Sequence, residues 1–228
     1  MFSHVFNAQN KVSSIPITSV LWEYTNNGGA TYTDLLANIT PVYTGTAFTI
    51  RVKSISPVGA TYTQSGTSSI TNVNDTNAQI TITGSDSYTG SFTSFSIDVM
   101  PATLSVSGFA IGSCGGYSVG RMAFNVSGLV AGQTASLTTW IGVSEPPASP
   151  ASVAPVSTND QIFVNAVSQI TGANPISVAN GTYTGSNSPL YLSISDSPYQ
   201  YWIQLTGGSN YNASNFADGG PLLQDCGS

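Results

Sequence analysis

Residues 48–53 read FTIRVK. Phe48, Ile50 and Val52 fall on one side of an extended chain and Thr49, Arg51 and Lys53 on the other, the period of two that marks a strand with one face buried. The same alternation recurs at Ile80 and Ile82, at Phe95, Ile97 and Val99, at Met122, Phe124 and Val126, and at Leu190, Leu192 and Ile194. No window carries a helical period. Clusters of Gly, Asn, Asp and Ser such as TNNGG, NVNDTN and TGGSN separate the runs and read as turns. Many short strands joined this way predict an all-β chain of antiparallel sandwiches with little or no helix.

Working outward, SVSGFAIG at 105–112 changes its apolar parity at Gly108, from Leu104 and Val106 to Phe109 and Ile111, which predicts a β-bulge or bend there. In DVMPATLS, Pro101 interrupts two patterned runs. The expected division is therefore residues 1–101, a β-sandwich with an extended N-terminal arm, and residues 102–228, a second β-sandwich with a C-terminal tail. A proline-rich run, GVSEPPASPASVAPVSTND at 142–160, looks at first like a hinge between halves. Only three or four strand patterns are expected between Asp160 and Leu205, too few for a sandwich of about seven strands. Residues 144–158 are accordingly read as a loop of the second domain, kept extended by Pro146, Pro147, Pro150 and Pro155. Tyr-Thr-Gly recurs at Tyr43, Tyr88 and Tyr183, which is either a trace of duplication or a shared turn chemistry.

Composition bounds function. Only 6% of residues are charged while 40% are hydrophobic, so hydroxyl and amide groups carry the polarity of the surface. The basic residues are Lys11, Arg51, Lys53 and Arg121, against ten carboxylates, for a net charge of −6. Binding along a phosphate backbone needs several cationic contacts, which this chain is too poor to assemble, so no nucleic acid or anionic membrane is expected as a partner. No apolar run reaches the roughly 20 residues of a membrane span, and no signal peptide is evident at the start. Cys114 and Cys226 allow one disulfide and equally stand as two free thiols; neither fits a zinc pattern.

Candidate chemistry is sparse. The one histidine, His4, lies in the terminal arm and could activate a nucleophile only if that arm folded back onto a site. Asp75, Asp86, Asp160, Asp196 and Asp218 sit mostly in Asn/Gly/Ser contexts, where Asp serves local backbone hydrogen bonds. NVNDTN at 72–77 offers oxygen ligands of the kind calcium takes, but with one carboxylate a capped turn explains it equally well. No catalytic residue, metal or cofactor is assigned. In YQYWIQL at 199–205, Tyr199, Tyr201, Ile203 and Leu205 share one face and Gln200, Trp202 and Gln204 the other. Trp202, and Trp140 in a similar alternation, are candidate interface residues, able to stack on a sugar or bury in a partner. Sequons at Asn38, Asn74, Asn125, Asn180 and Asn212 are what an Asn-, Ser- and Thr-rich chain produces by chance.

The segment VSGLVAGQTASLTTWIGV at 126–143 resembles turn-and-strand passages of immunoglobulin-like domains in tailed-phage virion proteins and bacterial surface proteins. The resemblance implies an immunoglobulin-like sandwich, which the expected division makes two, and surface display; it transfers no catalytic residue. A composition like that of proteins working outside cells, joined to a start without an export signal, points to a non-enzymatic structural protein of a tailed-phage virion, whose partners are copies of itself and other virion proteins. The specific roles are capsid decoration or cement, or a tail or fibre subunit. The alternatives are an extracellular or cell-surface filament or surface-layer subunit that polymerises by strand addition, and a glycan-binding adhesin module. The proline-rich loop is expected to dock on a neighbouring chain, since prolines reduce the entropy lost on binding.

Overall fold

The computed structural model describes residues 13–111, 119–142, 162–164, 176–183, 190–193 and 200–221. For 109–111, 119–122, 139–142, 162–164, 190–193, 200–202 and 218–221 it describes the backbone alone. Every regular element among these residues is a β-strand. The chain separates into two compact units, Met1–Met100 and Pro101–Ser228.

The first unit contains β1 (Ile15–Pro16), β2 (Ser19–Thr25), β3 (Thr33–Asp34), β4 (Phe48–Ser56), β5 (Tyr62–Thr67), β6 (Ser69–Ile70), β7 (Gln79–Gly84), β8 (Tyr88–Thr89) and β9 (Ser91–Thr93). One sheet has the order β3-β2-β4-β6 and another β5-β7-β9, both antiparallel, while β1 pairs with β8 in parallel. FTIRVK opens β4 with the expected alternation: Phe48 and Ile50 are buried, Arg51 and Lys53 exposed. With Trp22, Ile70, Ile80 and Ile82, also buried, these side chains form the apolar interior drawn from both sheets.

The second unit contains β10 (Ala102–Thr103), β11 (Ser105–Ile111), β12 (Val119–Ser127), β13 (Ala135–Gly142), β14 (Ile162–Val164), β15 (Ile176–Val178), β16 (Gly181–Tyr183), β17 (Leu190–Ser193), β18 (Gln200–Thr206), β19 (Tyr211–Asn212) and β20 (Ala217–Pro221). One sheet runs β11-β12-β17-β14 with β16 also on β12, and the other β15-β13-β18-β20. Their buried residues meet in one cluster, with Phe124 and Val126 from β12 and Leu137, Val178, Ile203 and Leu205 from the other sheet. Phe124 stacks on Tyr183, centroids 4.8 Å apart. Five described strands begin between Asp160 and Leu205, more than the three or four expected there, because β14, β15 and β16 have only three residues each and leave little pattern.

The bulge expected at Gly108 is present. The β11–β12 register skips between Ser107 and Ala110, and Gly108 has a φ of +62°. Phe95, by contrast, is 42% exposed and lies outside any strand, although Ile97 and Val99 are buried. A second bulge explains the difference. Ser94 N–H donates to the Ile80 carbonyl, and two residues before Ile80, at Ala78 just ahead of β7, the partner is Ile97, three residues beyond Ser94. The extra residue rotates Phe95 off the buried face.

This bulge occurs again in the second unit, atom for atom. Ser94 Oγ accepts Ile80 N–H at 3.0 Å and donates to the Phe95 carbonyl, while Gln79 Nε2 donates to the Ser94 carbonyl. Ser214 Oγ accepts Leu205 N–H at 2.8 Å and donates to the Asn215 carbonyl, while Gln204 Nε2 donates to the Ser214 carbonyl. The flanking elements match too. Ile15 and Ile17 N–H bond the carbonyls of Ser87 and Thr89, and Ala102 and Leu104 N–H bond those of Asn210 and Asn212. Ser19 pairs with Ser56 as Ser105 pairs with Ser127. The two units therefore share this bulge and the short parallel pairing that flanks it. The three Tyr-Thr-Gly copies sit in unlike places: Tyr43 buried ahead of β4, Tyr88 in β8 and Tyr183 in β16.

Both serines are almost fully buried, so Ser94→Ala or Ser214→Ala strands a buried backbone N–H. Each substitution is expected to cost about 1–3 kcal/mol, read from urea unfolding. A loss under about 0.5 kcal/mol at either site would show that the hydroxyl is dispensable.

Candidate functional site

Two of the chain's basic residues gather on the outer face of the β3-β2-β4-β6 sheet. The register places Asp34 beside Glu23 and Glu23 beside Arg51 across three strands. Arg51 Nε donates to Glu23 Oε1 at 2.6 Å, and its guanidinium lies over the Tyr32 ring. Lys53 Nζ meets Asp34 Oδ1 at 2.5 Å, and this hydrogen bond raises the lysine above its ordinary pKa. Two cations and two anions cancel, so the quartet ties strands together and offers no uncompensated charge to a ligand. Its exposed charges also mark β3, a two-residue edge strand, against pairing with another chain.

The outer face of β5-β7-β9 is built differently. Thr63, Ser65 and Thr67 of β5 stand beside Thr83, Thr81 and Gln79 of β7, and Thr93 and Ser91 continue the rows on β9. Thr81 and Thr93 hydroxyls lie 2.9 Å apart, Thr83 and Ser91 3.4 Å. This is a ladder of cross-strand hydroxyl pairs without a charge. It is how a chain so poor in ions presents a wettable sheet.

Asp75 serves its turn. Its Oδ2 accepts hydrogen bonds from Thr71 N–H, Asn72 N–H and Asn72 Nδ2, which hold the carboxyl below its ordinary pKa, the Asn72 backbone bond contributing most. Among the described residues, no group of three His, Cys, Asp or Glu side chains converges. Asp86 occupies the turn between β7 and β8, but Asp218 lies in the strand β20, not in a turn.

Trp140 and Trp202, separated by more than sixty residues in sequence, are register partners in the β13–β18 ladder, and Asp218 is the next residue across on β20. The alternation assigns both tryptophan positions to the sheet face opposite Leu137 and Ile203. Gln204, expected to face out beside Trp202, is itself buried at 8% exposure, because its amide is drawn onto the Ser214 carbonyl at the bulge. Pro146, Pro147, Pro150, Pro155, Cys114, Cys226, His4, the terminal arm and tail, and the 144–158 loop lie outside the described residues. The strands on either side of that loop, β13 and β14, both belong to the second unit.

Sequence reasoning missed the ion quartet and the tryptophan pairing for one reason: each is a register between distant strands. The alternation that placed Arg51 and Lys53 outward was the available signal for the quartet. No protein-family model matches the chain, and a search of curated proteins finds no relative.

Proposed function

We propose that this chain is a structural assembly protein built of two immunoglobulin-like β-sandwich units, acting through protein–protein contacts in a phage virion. Capsid decoration or cement, or a tail or fibre subunit, are the roles that fit. One observation carries the reading: the two outward sheet faces of the first unit are an uncharged hydroxyl ladder and a charge-neutral ion quartet. Such surfaces suit broad, dry contact with neighbouring subunits, where an unpaired buried charge is costly. The Trp140–Trp202 register adds an aromatic pair of the type that anchors interfaces.

An exposed filament or surface-layer subunit is the second reading, favoured by β5, all six residues of which are exposed. Immunogold electron microscopy of material from the native source separates the two. Gold on capsids or tails is expected; gold on cell-surface filaments in particle-free preparations would transfer the protein to the second reading.

A further inference from the structure

We propose that β5 is a pairing edge for a second copy of this chain, the two β5 strands joining antiparallel into one continuous sheet. The inference rests on the assembly reading and names the surface through which assembly begins.

The likeness of the two units supplies the first argument. Ile80 pairs with Gly66 and Thr81 with Ser65, as Leu205 pairs with Leu137 and Thr206 with Ser136. Since the two bulges equate Ile80 with Leu205, Gln64, Ser65 and Gly66 correspond to Ala135, Ser136 and Leu137. In the second unit those three residues pair along their other edge with β15, antiparallel. There Ala135 and Leu137 are buried. This edge of the fold thus accepts an antiparallel strand. In the first unit no described strand pairs with it, and all six residues of β5 are exposed.

Backbone polarity gives the second. Ser85 N–H donates to the Thr61 carbonyl, so odd-numbered residues of β5 turn their backbone groups toward β7. Tyr62 and Gln64 therefore hold their N–H and C=O groups at the free edge, while Gly66 departs from the extended conformation with a φ of +90°. A two-fold axis through Gln64 sets Gln64 against its counterpart and the Tyr62 ring over the partner's Gly66, which has no side chain to obstruct it. Three-stranded sheets sit near the lower limit of sheet size, and the joined sheet has six strands.

Charge selects the occupant. Each copy carries a net −6, so two copies meet at lowest cost where neither bears charge. From Ser54 to Asn74 the sequence has no charged residue, whereas the edge strand β3 carries Asp34. An edge evolved for a basic partner would carry acid, and β5 carries none.

Sedimentation velocity of the full chain tests this. The wild type is expected to form a dimer at micromolar concentration, and Gln64→Pro and Gln64→Lys to weaken it at least tenfold with far-ultraviolet circular dichroism unchanged. Proline at 64 removes an outward N–H and leaves the β5–β7 ladder intact. A wild type that stays monomeric to about 1 mM, or a dimer that survives both substitutions, overturns the proposal. A chain that is monomeric alone yet incorporated into particles overturns the β5 pairing and leaves the assembly reading standing. A β5-dependent dimer found in no particle does the reverse.

Discussion

Gly128→Ala is expected to destabilise the second unit by more than about 3 kcal/mol, while Gly132→Ala costs about 1–2 kcal/mol. Both glycines have positive φ, +94° and +80°, so both substitutions carry the backbone strain of an L-residue in that region. They differ in what a Cβ would meet. At Gly132 nothing lies within 4 Å, whereas at Gly128 the Thr103 carbonyl oxygen would stand 2.2 Å away and the Leu104 Cα 3.1 Å. Neither neighbour is a side chain that can rotate aside. Thr103 belongs to β10, whose short parallel pairing to β19 opens the unit, so relief requires breaking that pairing. Urea unfolding of the two variants checks the difference, and equal losses would mean that the β10 backbone yields freely.

Phe124→Ala is expected to cost about 3–5 kcal/mol, and Phe95→Ala under about 1 kcal/mol. Phe124 is 1% exposed and lies at the centre of the second unit's cluster, stacked on Tyr183, whose hydroxyl is bonded in turn to the Ala179 backbone. Removing the ring leaves a cavity between two sheets that are pinned by their ladders and cannot close over it. Phe95 has the same chemistry and the same local alternation, yet it is 42% exposed. Thermal or urea denaturation of both variants decides the matter; similar losses would contradict the contrast in burial.

The two phenylalanines also show what sequence periodicity carries and where it stops. A strand that keeps its ladder keeps its parity, so FTIRVK and the run through Phe124 are legible from a handful of residues. Gly108 was legible as a bulge because glycine marks a backbone that other residues avoid. The bulge at Ser94 has no such mark. A serine hydroxyl takes a backbone hydrogen bond there, and Ser-Phe-Ser reads as uninterrupted alternation until its partner strand is known. Trp140 and Trp202 could each be singled out locally. Their pairing could not, because register between distant strands is fixed by the whole unit. The quartet of Glu23, Asp34, Arg51 and Lys53 is hidden for the same reason.

The hydroxyl ladder on β5-β7-β9 has a further consequence, in the response to dissolved salt. Ionic strength acts on proteins chiefly by screening separated charges, and that sheet face has none to screen. The dipoles of Thr63, Thr81 and Thr93 keep their short-range partners in dilute buffer and in brine alike. A contact made over such a face would hold or fail by shape and dryness, and the face itself would add little salt dependence to it.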